Sequence, residues 1–196
     1  DASGGGSDPM MLAIRHDGWY APLIEIPARE IPMERAGAYS AGMVMTYRRD
    51  LAQVMVDLGG GYGGSLYEHL HDNQVDVHGF KGAEASVRRT YDKLLAFKNR
   101  RTEAYWRFRE ALDPANPDHP GGSPIMLPDD RHLVADLTAP TVQVKGKVIE
   151  LEPKEDVCER LGRSPDRGDA VVMAWACGPT YIEEGDHWRR RAEERA

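Results

Sequence analysis

The run Val54-Met55-Val56-Asp57 leads at once into Gly59-Gly60-Gly61-Tyr62-Gly63-Gly64. Three apolar residues closed by an acid describe a buried strand that surfaces on a carboxylate. The glycines remove side chains from around that carboxylate, so a ligand can approach the backbone. A fold containing this segment must bury the strand and open a cleft at its end. Asp57 taken alone also fits a plain cap for the helix or loop that follows, so its meaning depends on other acids.

Two more acidic segments stand out. The chain opens on Asp1-Ala-Ser-Gly-Gly-Gly-Ser-Asp8, and Ser164-Pro165-Asp166-Arg167-Gly168-Asp169-Ala170 lies near the other end. Asp166 and Asp169 are three apart and share one face of a helix start. Asp166 reads as a cap or a first-turn acid meeting the helix dipole. Asp169 precedes a nearly all-apolar helix, where an unpaired acid is costly and a metal would offset the cost. Carboxylate oxygens suit hard cations such as Mg²⁺ or Mn²⁺. A pair of such ions stabilises both the attacking and the leaving oxygen of a phosphodiester, so nuclease chemistry is expected.

The same glycine run satisfies G-x-G-x-x-G through Gly59, Gly61 and Gly64, with Asp76 about 20 residues on, as a dinucleotide site requires. So dense a glycine run matches that pattern easily by chance. A carboxylate at the strand end would also repel a pyrophosphate on the helix N-terminus. No Lys-Ser or Lys-Thr follows the glycines, which excludes a phosphate-binding P-loop. The histidines show only a weak His69-x-His71 spacing, and no serine sits in a nucleophile-elbow pattern.

The 196 residues make one domain with a sizeable core. A hydrophobic share of 41% against 29% charged reads as soluble and globular. No apolar run approaches the roughly 20 residues of a membrane helix. The polar, glycine-rich start is not a signal peptide, and the missing initiator Met suggests a piece of a longer chain. Cys158 and Cys177 lack metal or redox spacing and read as reduced structural thiols of an intracellular protein. A net charge of −7 argues against nucleic-acid binding by the whole surface but leaves room for a local basic strip.

Asp17-Gly18 between apolar runs predicts a hairpin of residues 10–15 with 19–26. A helix is expected over 33–50, then a strand over 51–57, a helix over 65–71 and a strand over 75–80. That order implies a parallel pair. Residues 81–95 have no clear period. Helices follow at 100–112, 129–137 and 155–161, the last stopping near Gly162. A hairpin of 141–144 with 147–151 turns at Lys145-Gly146. The last helix starts after Ser164-Pro165, capped by Ser164 or Asp166, and ends at Gly178-Pro179. Residues 113–124 are a proline-rich loop. The result is an α/β fold, a ribonuclease-H-like mixed sheet flanked by helices, over residues 1–180. Residues 181–196 form a basic C-terminal tail.

Between Arg88 and Arg109 the basic residues, among them Lys98, Arg100, Arg101 and Arg107, outnumber the acids, with Tyr91, Tyr105 and Trp106 interleaved. Such a run is either a solvated helix face or a contact to DNA phosphates.

Five segments in order resemble the C-terminal nuclease domain of the large terminase subunit of tailed bacteriophages and prophages. They are the opening acidic loop, Val56-Asp57-Leu58-Gly59-Gly60-Gly61-Tyr62-Gly63, Asn99-Arg100-Arg101-Thr102-Glu103-Ala104-Tyr105-Trp106, Leu127-Pro128-Asp129-Asp130 with Leu137-Thr138-Ala139-Pro140, and Lys154-Glu155 followed by the Asp166–Asp169 segment. The resemblance implies a ribonuclease-H-like, metal-dependent endonuclease that cuts concatemeric double-stranded DNA during packaging. Asp1, Asp57 and Asp169 match its catalytic, metal-binding acids, with Asp166 and Asp8 as secondary acids. Of two Mg²⁺ or Mn²⁺ ions, one would lie between Asp1 and Asp57 and the other near Asp1 and Asp169. Lys98, Arg100, Arg101 and Arg107 would hold the DNA backbone. The partners implied are the terminase ATPase domain, absent from this chain, the portal and the small subunit, in the host cell cytoplasm and away from membranes. The strand that precedes the first acid in the family is also missing here, so an incomplete sheet is expected. Two rival readings are a junction resolvase or transposase-type nuclease of the same fold, told apart by its branched substrate, and a non-catalytic docking domain, told apart by the absence of metal binding and cleavage.

Overall fold

The computed structural model describes residues 2, 9–49, 51–59, 63–117 and 119–178. The opening run folds back at Asp17-Gly18 as its sequence predicts. β1 (Met10–Leu12) pairs antiparallel with β4 (Ile24–Ile26), and β2 (Arg15–His16) with β3 (Trp19–Tyr20). Asp17 takes a φ of 53°, which short polar side chains tolerate. Gly18 is required for space, since a Cβ there would lie 1.7 Å from the Pro124 carbonyl oxygen. The predicted strands are interrupted, because Ala21 N donates to Ile14 O and the chain bends between the two ladders.

The expected helix over 33–50 begins as a 3₁₀ turn, Met33–Arg35, continues as α1 (Ala36–Tyr47), and ends where Arg48 turns extended. β5 (Val54–Asp57), α2 (Gly63–Asp72) and β6 (Val77–Phe80) follow, and β5 and β6 run parallel, with Val54 opposite Val77 and Asp57 opposite Phe80. Residues 81–95 carry no strand or helix of their own, and the short β7 (Ala96–Phe97) comes next. α3 (Arg100–Leu112) starts where the Asn99 side chain accepts from Thr102 N. α4 (Arg131–Thr138) starts where Asp130 accepts from His132 N and Leu133 N. β8 (Val142–Lys145) and β9 (Val148–Leu151) form the predicted hairpin, and β9 also pairs parallel with β7. α5 (Lys154–Leu161) ends at Gly162 with a φ of 70°, and α6 (Asp166–Ala176) closes the described chain.

The fold is mixed α/β, but its strands do not join into the one sheet expected. Among the described residues they form four small sheets, β1-β4, β2-β3, β5-β6 and β7-β9-β8. The physical reason is local: no described strand bridges β1 and β5, although α6 packs against both. Two apolar clusters hold the layers. Met10, Ile26, Val44, Val56, Leu66 and Leu70 bury the α1/α2 side. Tyr20, Phe80, Phe108, Leu133, Val171 and Val172 bury the α3/α4/α6 side.

The start of α6 corrects another expectation. Neither Ser164 nor Asp166 caps it, since the cap position is Pro165, which makes no side-chain hydrogen bond there. The cap comes from another helix. Asp136, fully buried on α4, accepts from Arg167 N at 3.1 Å and Gly168 N at 3.2 Å. The Arg163 guanidinium lies 2.5 Å from its other oxygen. Asp136→Ala removes both acceptors and leaves two buried N–H groups bare. It should cost about 2 kcal/mol, read as a lower urea midpoint with an unchanged slope.

Candidate functional site

Asp57 sits at the C-terminal end of β5, where Gly59 N donates to its Oδ1 at 2.7 Å. Gly63 lets α2 begin directly against the strand end, because a Cβ at 63 would lie 1.8 Å from the Asp57 carbonyl oxygen. The carboxylate opens on a cleft of about 1180 Å³ whose walls include Arg101, Tyr105, Lys154, Asp166 and Asp169. The acid that ends a parallel strand and the acids that start the last helix therefore share one cavity.

Asp169 is the most constrained group in it. Only 7% of the residue is exposed. The Tyr105 hydroxyl donates to its Oδ1 at 2.6 Å, and Arg101 Nε lies 3.7 Å from the same oxygen. Lys154 Nζ lies 2.8 Å from Oδ2. Burial pushes the Asp169 carboxyl up, but the Lys154 and Arg101 charges and the Lys154 and Tyr105 hydrogen bonds outweigh it. The carboxyl is left below the usual range. Burial pulls the Lys154 ammonium down, yet Asp169 and Asp166 hold it above its ordinary value. Tyr105 is pushed well up, first by burial and then by the Asp169 charge. The acid at 169 is thus paired rather than bare, which replaces the expectation that it lacks a protein partner. Asp166, 8% exposed, lies 3.4 Å from Lys154 and accepts from Ser164 Oγ.

The basic residues of the 98–107 stretch divide between two sides of α3. Arg101 lies in the acid cleft, where its Nη1 donates to Glu152 O at 2.9 Å and its guanidinium stacks on Tyr105. Its Nε and Nη2 are buried and find no hydrogen-bond partner among the described residues. Lys98 lies at the rim of the same cleft, 3.7 Å from Glu150. Arg100 and Arg107 line a different groove of about 470 Å³, held by Glu84 and Glu103. Asp1, Asp8 and the basic tail lie outside the described residues, as do Gly60, Gly61 and Tyr62. Ala2 and Pro9, the neighbours of Asp1 and Asp8, line the acid cleft.

Sequence reasoning missed Lys154 and Tyr105 as the partners of Asp169. A signal existed for the first: Lys154 opens α5, where a cation opposes the helix dipole and needs a reason to be there. Among the described residues no three of His, Cys, Asp and Glu lie close enough together to hold a metal ion. The donor set nevertheless fits a hard cation. Asp57 and Asp169 offer only carboxylate oxygen, and Asp169 Oδ2 already receives a positive group in the Lys154 ammonium. Both cysteines are free, and no helix among the described residues is long and apolar enough to cross a membrane.

No protein-family profile matches the chain, and no curated protein does. Solved structures do. The nuclease domain of the large terminase subunit gp2 of bacterial virus Sf6 superposes with a TM-score of 0.69 at 19% identity, over 91% of this chain and 86% of that one. A lysine-to-alanine variant of the same domain, with manganese and β-thujaplicinol, gives 0.67 at 19% over the same shares. The variant with calcium gives 0.66 at 19%, over 86% of this chain and 82% of that one. At such identity the likeness is one of fold, and this chain has the fold of the nuclease domain of a phage large terminase subunit.

Proposed function

We propose that this chain is the nuclease domain of a viral DNA-packaging terminase, a divalent-metal-dependent endonuclease that cuts concatemeric double-stranded DNA in the host cytoplasm. One observation carries the reading. Asp57 and Asp169 face one cleft, and Asp169 is kept ionised there despite burial. The terminase fold supports it, as do the manganese and calcium bound by the Sf6 domain variant.

Asp57, Asp169 and Asp1 would hold two Mg²⁺ or Mn²⁺ ions, with Asp166 beside them. Bound ions of this kind activate a water and stabilise the leaving 3′-oxygen. The protein's own groups set the stage. Gly59 N fixes the Asp57 carboxylate, Tyr105 orients Asp169, and Lys154 keeps the proton off it. The spare donors of Arg101 point along Asp169, where negative charge gathers. Lys98, Arg100 and Arg107 would meet DNA phosphates on either side of α3. The ATPase domain, portal and small subunit are the packaging partners this role requires.

The closed Lys154–Asp169 pair also suits a non-catalytic docking domain, whose acids bind no metal. A thermal scan in Mn²⁺ separates the two. Repelling carboxylates that gain an ion stabilise the native state by about 2.7 kcal/mol at one hundred times Kd. The midpoint should rise in Mn²⁺ and return in EDTA, with plasmid cleavage following the same switch. A flat scan with no cleavage favours the docking domain.

A further inference from the structure

We infer that the cavity between β1 and β5 is the seat of a missing central strand, an extended apolar segment joined directly to Asp1, which completes the sheet and delivers Asp1 to the acid cleft. The cavity measures about 420 Å³. Consecutive residues of both strands line it, Met10 to Leu12 on one side and Val54 to Val56 on the other. A strand that turned a face to a cavity would contribute alternate residues. Consecutive ones mean that the hydrogen-bonding edges look in.

The amide alternation of β5 agrees. Val54 N donates to Asp76 O and Leu58 N to Phe80 O, so both amides point toward β6. The intervening Met55 and Asp57 amides then point the other way, into the cavity. β4-β1 and β5-β6 are separate sheets among the described residues, while Met173 and Ala174 of α6 and Val44 and Leu66 of α1 and α2 cover the cavity. A strand laid there is covered on both faces, so its side chains must be apolar on both.

Direction is fixed as well. Pro9, just before β1, lines the acid cleft with Asp57 and Gly59, at the end of β5. Ile14, just after β1, lines the cavity with Ala52 and Gln53, before the start of β5. β1 and β5 therefore run opposite ways. A strand between them that runs parallel to β5 ends beside Asp57. Ala2 lines both the cavity and the acid cleft, which places the junction with Asp1 at that exit. The chain beyond Gly178 also departs from the rim of the cavity. Its sequence, Pro179-Thr180-Tyr181-Ile182-Glu183-Glu184, offers only two adjacent large apolar residues and cannot fill a strand covered on both faces.

The test compares the 196-residue chain with two N-terminal extensions, Thr-Val-Val-Ile-Ala-Val and Thr-Pro-Val-Pro-Ala-Pro. Proline cannot donate to a ladder. Hydrogen exchange is measured in EDTA without DNA, so the outcome is independent of cleavage. The first extension should slow exchange at Met55 by at least about tenfold and raise the melting temperature. The proline extension should do neither. Leu70, buried in α2 away from the cavity, reports that each protein is folded. Unchanged Met55 exchange in a folded first extension overturns the inference. Equal protection by the free hexapeptide, with no advantage from attachment, overturns the assignment to a segment joined to Asp1. Loss of existing Met55 protection on truncation after Gly178 gives the seat to the carboxyl-terminal segment and overturns it too.

Discussion

Asp57→Asn should leave the fold standing and reduce cleavage by at least about a thousandfold. Asn keeps the shape and the acceptor oxygen that Gly59 N uses at 2.7 Å. It loses the charge that holds a divalent ion. Asp57 is only half-buried and makes no ion pair among the described residues, so no cation is stranded by the change. Supercoiled plasmid digested in Mn²⁺ measures the first effect, and far-ultraviolet circular dichroism with a thermal scan measures the second. Wild-type cleavage by the folded variant would remove Asp57 from the site.

Lys154→Met should have the largest effect on stability, about 3 kcal/mol at neutral pH. The figure is at the low end for breaking a buried pair because the lysine is one-third exposed. Methionine keeps most of the volume and removes the ammonium that faces Asp169 and Asp166. The pH dependence carries the sharper signature. In the wild type the Asp169 carboxyl lies below its ordinary value. Its contribution is therefore present above the unfolded value, about 3.9, and is lost as pH falls through the lower folded value. Lys154 is raised, so its contribution is complete below its unfolded value and is lost as pH rises through the folded one. Without Lys154, burial dominates at Asp169 and its carboxyl moves up. The acid-side loss of stability should flatten or reverse, as urea titrations between pH 3 and 8 would reveal. A variant with the wild-type pH profile would mean that Lys154 does not keep Asp169 ionised.

Local signals were legible where a segment carries its own instructions. Asn99 before α3, Lys145-Gly146 between β8 and β9, and Gly162 after α5 each announce a boundary, and each element forms there. The parallel β5–α2–β6 unit was legible for the same reason, through apolar runs separated by glycines. What escaped depends on distant contacts. β7 is two residues long and exists because β9 lies beside it. The cap of α6 comes from Asp136, thirty-one residues before Arg167. The opening acids were visible as charges, but the ion pair at Asp169 joins α3, α5 and α6, and no window on the sequence contains all three. Arg101 reads as one more cation of a basic helix, yet the turn of α3 points it inward while Arg100 and Arg107 face another groove.

α6 bears on when this protein becomes able to act. Asp57 belongs to an early strand, whereas Asp169 and the lysine that tunes it arrive with the last two helices. Domains emerge from the ribosome N-terminal part first. A nascent chain that has already formed β5, α2 and β6 therefore still lacks half of the proposed ion-binding set. If the acids cut DNA as proposed, a ribosome-bound or prematurely terminated chain is harmless to its host. The order of synthesis then acts as a safety catch, released only when the final helix slides beneath β1 and β5.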